Sequence, residues 1–190
     1  MESIIHIDKT FKNVVWPQKD TMGREFENCT FETCDFSNGA FRAGKFIDCV
    51  FRGCNLSMLK FNNCQLSNVE FTDSKVLGVN FSECNDFLLV LKFDNCVLDY
   101  CSFVKKKLTK TTFKNSSIKN ADFTESDLTK SLFSNCNLQN TVFLKTILKE
   151  TDFRTALNYS IDPEANMIRK ARFSMQGITG LLNKYDISIE

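Results

Sequence analysis

The chain has 190 residues, with 24 basic and 23 acidic side chains and a formal net charge of +1. That length fits one domain with short capping segments, and the near-neutral balance alone points to no charged partner. No apolar run approaches the roughly 20 residues of a membrane-crossing helix, and a single histidine without a phosphate loop or nucleophile motif argues against an enzyme or a cofactor.

The first segment, residues 1–23, is irregular and reads as an N-terminal cap or first imperfect coil. Its opening, Met1-Glu2-Ser3-Ile4-Ile5-His6, lacks the basic and apolar stretches of a secretory signal. A cytoplasmic location is therefore expected, and His6 reads as a bystander rather than a base.

From Phe26 a five-residue beat sets in: Phe31, Phe36, Phe41, Phe46, Phe51, Leu56, Phe61 and onward to Phe81. Such a period is neither that of a helix nor that of an ordinary strand. It belongs to a solenoid, in which each unit stacks on its neighbours. Two residues before each large centre stands a small or medium residue, such as Cys49, Cys54, Val69 or Ser74, with Arg24, Leu59, Leu91 and Lys106 as misfits. Residues two apart share one side of an extended segment, so each unit points one large and one small side chain inward. Two residues after the centre comes Asn, Asp or Gly in many units, including Asn28, Asp48, Gly53 and Asn68. Those residues suit tight turns, so each unit is one short straight side and one corner. From Phe51 the centres mostly alternate Phe with Leu, Ile or Val, which suits an even number of sides per turn without fixing it at four.

The beat slips by two residues between Phe81 and Phe93, around 84–90. A bulge or protruding corner at Asn85, Asp86 and Phe87 is the expected consequence, either as a partner contact or as a tolerated kink. The beat then continues through Phe103, Phe113, Phe123, Phe133 and Phe143 to Phe153.

Units such as Ala121-Asp122-Phe123-Thr124-Glu125, Cys54-Asn55-Leu56-Ser57-Met58 and Cys136-Asn137-Leu138-Gln139-Asn140 resemble the signature of pentapeptide-repeat proteins. Residues 24–155 carry this resemblance. It implies an all-β solenoid: a right-handed quadrilateral parallel β-helix with four units per coil. Six to seven coils at about 4.8 Å each would then form a rod roughly 30 Å long.

Twenty-residue stacking follows from that geometry. It places Cys29 over Cys49, Cys34 over Cys54 and Cys64 over Cys84. All nine cysteines occupy the small inward slot or its continuation, without the spacing or histidine company of a zinc site. They read as small buried apolar residues, reduced in a cytosolic protein. The run Lys105, Lys106, Lys107, Lys110, Lys114 and Lys119 is basic, and residues 91–190 hold fifteen bases to eleven acids. Stacking would set Lys105 against Glu125, Lys107 against Asp127, Lys130 against Glu150 and Lys119 against Asp99. Such a mixed ladder, without outward aromatics to stack on bases, gives no expectation of direct nucleic-acid binding.

Residues 156–190 read as a C-terminal cap and dimerisation segment. Ser174 would cap a short helix that aligns Met175, Ile178, Leu181, Leu182 and Tyr185 on one face as the expected dimer interface, with Gly177 and Gly180 weakening it. Asp186 to Glu190 would form a last strand. This tail, Asn158 to Pro163, Lys170-Ala171-Arg172-Phe173-Ser174 and Gly180-Leu181-Leu182, resembles that of quinolone-resistance (Qnr-type) pentapeptide proteins. So does Phe46 to Ser57. The resemblance implies a homodimeric, DNA-like rod that engages DNA gyrase or topoisomerase IV and relieves fluoroquinolone poisoning. The chain lacks the long projecting loops of the best-known members, so it is more similar to the loop-free MfpA type. Its residues form no continuous carboxylate row of the kind a DNA mimic needs. Immunity to a gyrase-targeting toxin and a general protein-interaction scaffold are the other readings of the same fold.

Overall fold

The computed structural model describes residues 4–188. One turn of the chain takes twenty residues over most of its length, and residues one turn apart lie side by side in parallel register: Phe31 beside Phe51, and Phe51 beside Phe71. The coil therefore has four sides of five residues each.

The first face is a four-stranded sheet of Ile5–Ile7, Glu25–Glu27, Lys45–Ile47 and Gln65–Ser67. Parallel bridges carry it onward from Lys107 through Asp127 and Ile147 to Met167. The second face is a seven-stranded sheet from Thr10–Lys12 to Leu132–Ser134, prolonged by bridges to Asp152 and Arg172. The third is a chain of single bridges from Val15 to Leu157. The fourth opens with a three-stranded sheet, Asp20–Met22, Ala40–Arg42 and Lys60–Asn62. Bridges from Asn80 to Val142 continue it. The helical register begins at Ile5, within residues 1–23.

The core follows from this stacking. From Phe51 onward faces two and four carry the phenylalanines; in the earlier coils Phe26 and Phe46 also stand on face one and Phe36 on face three. Within a column the rings lie parallel: Phe113 and Phe133 at 4.7 Å and 3°, Phe103 and Phe123 at 4.8 Å and 4°. Between the columns they meet edge to face, as Phe123 and Phe133 do at 5.9 Å and 90°. Both geometries suit the ring quadrupole. Faces one and three hold aliphatic columns such as Leu108, Leu128 and Leu148, or Val76, Leu98 and Ile118, all fully buried. The alternation of Phe with aliphatic centres thus reflects two pairs of like, opposite faces.

Most corners take a left-handed residue, and the second residue after the centre supplies it. Asn28, Asn38, Asp48, Asn68 and Asn140 all have φ between 50° and 58°. The amides of Asn28, Asn38 and Asp48 donate to the coil that follows, Asn28 N to the Ile47 carbonyl at 2.9 Å. The same conformation is imposed on Tyr100, Lys105, Lys110, Glu125, Lys130, Lys145 and Glu150. A Cβ in that region costs about 1–2 kcal/mol, and the hydrogen bonds between coils offset it.

The small inward slot does more than save space. Its side chain donates to a centre carbonyl of the preceding coil: Cys49 Sγ to Phe26 O at 3.4 Å, Ser74 Oγ to Phe51 O at 3.2 Å, Thr151 Oγ1 to Leu128 O at 2.8 Å. Thr141 and the Ile118 carbonyl make the same contact. Buried carbonyls require a partner, and Cys, Ser and Thr are the small residues that bring a donor. All nine cysteines are free and buried. Burial pushes the thiols of Cys49, Cys54, Cys101 and Cys136 up to about 12, and those of Cys64 and Cys96 to about 11. Thiols so far from ionisation are poor nucleophiles.

The two ends differ. In the first coil His6 takes a centre position and stacks on Phe26 at 5.0 Å. Burial, then Lys9 and Arg24, lower its pKa, and among the described residues neither ring nitrogen has a hydrogen-bond partner. Arg24 lies 4.9 Å over the Trp16 ring beside it.

At the other end the expected amphipathic helix does not form. Ile178–Leu181 and Asn183–Tyr185 are two short 3-10 turns. Asp186 to Ser188 form no strand, and Ile189 and Glu190 lie outside the described residues. Tyr159 is the cause. Its ring tilts against Phe153 and Phe173, both at 5.7 Å, and roofs the last phenylalanine column. A Cβ at Gly177 would overlap the Tyr159 hydroxyl, and one at Gly180 the Tyr159 carbonyl. The Ile161 amide then donates to the Gly180 carbonyl at 2.9 Å. The glycines that weaken a helix are thus what lets the tail pack on the rod. Gly180→Ala is expected to lower the stability by about 1–3 kcal/mol through overpacking. Urea unfolding of the variant measures this, and an unchanged midpoint would refute the role given to Tyr159.

Candidate functional site

The inward positions are filled, so the surface is what the rod offers to other molecules. Among the described residues no group of three or more His, Cys, Asp or Glu side chains is placed to hold a metal ion. A hollow of about 470 Å³ opens beside the C-terminal cap, between Arg154, Asn158, Tyr159, Gln176 and Asn183. Its one charged group, Arg154, is held by Asp152 at 2.7 Å. Two surface features and the charge pattern remain.

The first feature is the phase slip. The turn Phe81–Glu83, begun by Asn80 Oδ1 accepting from the Ser82 amide, leads into it. Register then sets Cys84 in the small slot beyond Cys64, with Asn85 N donating to the Cys64 carbonyl at 2.8 Å. Asp86 falls where a large apolar centre would stand, and it points out to solvent. Leu89 packs against the core instead, and the chain regains its register as Val69 pairs with Leu91. The two extra residues are thus absorbed on the first face.

Lys106 closes the opening left underneath. It stands in the inward slot of the next coil, and its side chain is 5% exposed. Its Nζ donates to the Cys84 carbonyl at 2.7 Å and to Asp86 Oδ1 at 2.6 Å. A misfit in the repeat is therefore the residue that binds the misfit coil. The Asn85 side chain caps the Phe87 amide at 2.8 Å. With both ends fixed, the corner carries Phe87 and Leu88 outward at 64% and 61% exposure. Of the three corner residues picked from the sequence, Asn85 and Asp86 make the anchoring contacts and Phe87 faces solvent. The sequence signal for Lys106 was present: it broke the small-residue rule one coil after the slip.

The second feature is the C-terminal end. Met175, Ile178 and Tyr185 are exposed, whereas Leu182 is half-buried and Leu181 packs against the core. The five residues expected on one helical face are therefore divided between inside and outside. Lys184 bonds Asp162 at 2.7 Å and Glu164 at 2.6 Å, and both contacts hold its ammonium above the ordinary lysine value. Tyr185 Oη adds a bond to Glu164 at 3.1 Å.

Charges on the faces are largely interleaved. Glu25 meets Lys45 at 3.0 Å, and Glu32 lies between Lys12 at 2.8 Å and Arg52 at 3.8 Å. Lys105 reaches Glu125 at 3.7 Å and Lys130 reaches Glu150 at 3.8 Å. Two of the expected contacts differ. Lys107 stands beside Asp127, yet that carboxylate turns to the Thr129 amide and hydroxyl. Asp99 accepts from the Lys119 backbone amide at 2.8 Å, not from its ammonium. In both cases a short aspartate finds a fixed local donor nearer than a mobile lysine. Carboxylates form no unbroken row along the described faces.

The slip provides a direct check on this geometry. Lys106→Met keeps the stem and removes the donor, leaving the Cys84 carbonyl unpaired at a cost of about 1–3 kcal/mol. Hydrogen exchange at 85–90 is expected to quicken, with the Phe113–Phe153 coils unaffected. Unchanged protection at 85–90 would show that Lys106 does not fix the corner.

Two family models match the chain, one described as a pentapeptide repeat region over residues 24–86 and one as pentapeptide repeats over residues 92–129 and 116–154. No curated protein matches it in sequence. Among solved structures it is similar to a trypsin-treated variant of QnrB1, a plasmid-mediated fluoroquinolone resistance protein. The TM-score is 0.63 and the identity 16%, over 100% of both chains. Full-length QnrB1 matches with a TM-score of 0.56 and 16% identity, over 94% of this chain and 100% of that one. The family matches span most of the five-residue beat, and the structural matches share its stacked coils: this chain belongs to the pentapeptide-repeat proteins.

Proposed function

We propose that the protein binds DNA gyrase or topoisomerase IV as a rigid rod in the cytoplasm and lowers fluoroquinolone sensitivity, performing no chemistry itself. The observation that carries this reading is the match over the whole of both chains to a fluoroquinolone resistance protein. The architecture supports it physically. A core of stacked rings and a continuous hydrogen-bond ladder present a preformed surface, and a preformed surface loses little conformational freedom on binding. Nine reduced thiols suit the compartment where a topoisomerase works.

The interrupted carboxylate row favours a second reading, a protein-binding scaffold of the same fold that does not imitate DNA. A supercoiling assay with gyrase and ciprofloxacin separates the two. Titrating in the protein is expected to restore supercoiling; inhibition alone, or no effect at any ratio, would overturn the quinolone reading.

The same proposal includes a dimer of rods joined through the C-terminal end, where Met175, Ile178 and Tyr185 stand exposed. Ile178→Glu, on an exposed side chain, is expected to yield monomers in sedimentation with an unchanged circular dichroism spectrum. A dimer that persists would remove that end from the interface.

A further inference from the structure

The first face has an uneven chemistry that neither the fold nor the quinolone reading uses. At the slip it presents Phe87, Leu88 and Val90, which are 64%, 61% and 47% exposed. These are not stray apolar residues on a mobile loop. The Lys106 ammonium and the Asn85 cap hold the corner that carries them. An aromatic side chain kept in solvent on a fixed support is the usual form of an interface anchor.

Below this corner the same face turns basic. Lys107, Lys110, Lys145, Lys149, Arg169 and Lys170 lie on it or at its edges, and none makes an ion pair among the described residues. The nearby carboxylates are committed elsewhere. Glu125 and Glu150 hold Lys105 and Lys130, and Asp127 binds Thr129. Asp162 and Glu164 on the adjoining side hold Lys184. Among the described residues six cations thus stand without an ion-pair partner along one side of the rod, with the Asp127 carboxylate, itself in no ion pair, beside Lys107. Between them lie exposed aliphatic groups, Leu144 at 45% and Met167 at 50%, with Ile147 half-buried.

We propose that this strip, from the Phe87 corner to Arg169, docks an acidic protein segment that also carries apolar side chains. The combination selects the partner. Phosphates would gain from the lysines but nothing from Phe87, Leu144 or Met167. Protein interfaces are enriched in aromatic residues, Met and Arg at their centres, and surrounding charges of one sign steer a partner of the other. The inference goes beyond the quinolone reading and does not depend on it.

Fluorescence anisotropy with the full-length protein tests it. The probe is a labelled synthetic peptide of Glu, Asp, Leu and Phe, with a charge-matched peptide of Glu, Asp and Ser as its control. The first peptide is expected to bind more tightly than the second, and binding is expected to weaken with added salt. Phe87→Ser combined with Leu88→Ser should weaken binding of the first peptide about tenfold, and so should Lys107→Glu with Lys149→Glu, about 1.4 kcal/mol in each case. Lys75→Glu on the third face should leave it unchanged. All of these positions are exposed or half-buried, and thermal melts establish that each variant is folded. No binding of the mixed peptide, binding indifferent to both pairs of substitutions, or tighter binding of a DNA duplex or of anionic vesicles through the same lysines would overturn the proposal. Ciprofloxacin rescue measured on the same variants stands apart: a protein that binds the peptide but never rescues gyrase loses the quinolone reading alone.

Discussion

The whole molecule depends on one constraint: residues one turn apart must be equivalent. Each coil finds most of its backbone hydrogen-bond partners in the coils before and after it, so a position that fits in one turn must fit in the next. Phenylalanine meets this condition unusually well. A flat ring can lie parallel on its copy one coil away, near 5 Å, and still present an edge to the ring across the interior. Nearly all contacts are therefore between neighbours in the stack, and the rod's stability is a sum of repeat and interface terms.

That equivalence is why so much of the fold was legible. A period of five, a large residue, a small residue two before it and an Asn or Gly two after it encode a side, a slot and a corner. The free thiols followed from the register alone, as did the pairs of Lys105 with Glu125 and of Lys130 with Glu150. What escaped the pattern did so for physical reasons. Lysine and glutamate at corners look like ordinary surface residues, because nothing local in the sequence shows that neighbouring coils will force them to positive φ. The tail was misread because helical spacing and two glycines gave opposing signals. The glycines decided the outcome through Tyr159, a contact with no sequence periodicity. Lys106 was visible as an exception, but its purpose needed the geometry of the slip.

The surface carries the functional argument, and it is not uniform. Over much of the rod, acid and base alternate from coil to coil and cancel. Where they stop cancelling, on the first face after the slip, apolar groups are exposed as well. The same two-residue insertion that disturbs the ladder marks the boundary between these regions. A solenoid gives each residue an address, and a departure from the repeat therefore stands at a defined height and on a defined face.

The left-handed corners have one more consequence. Proteases of the trypsin type bind their substrates as extended strands, and cleavage concentrates at exposed loop tips able to adopt that shape. Lys105, Lys110, Lys130, Lys145 and Lys170 are exposed, yet each is held at φ between 53° and 62° in a tight corner. The Lys105, Lys110, Lys130 and Lys145 amides are bonded to the following coil. Presenting any of those four to an enzyme would mean parting two coils. The corner that departs from the repeat, residues 85–90, contains neither lysine nor arginine. The rod thus displays a row of cationic side chains while withholding the backbone beside them, and its lifetime among proteases is set by the opening of coils.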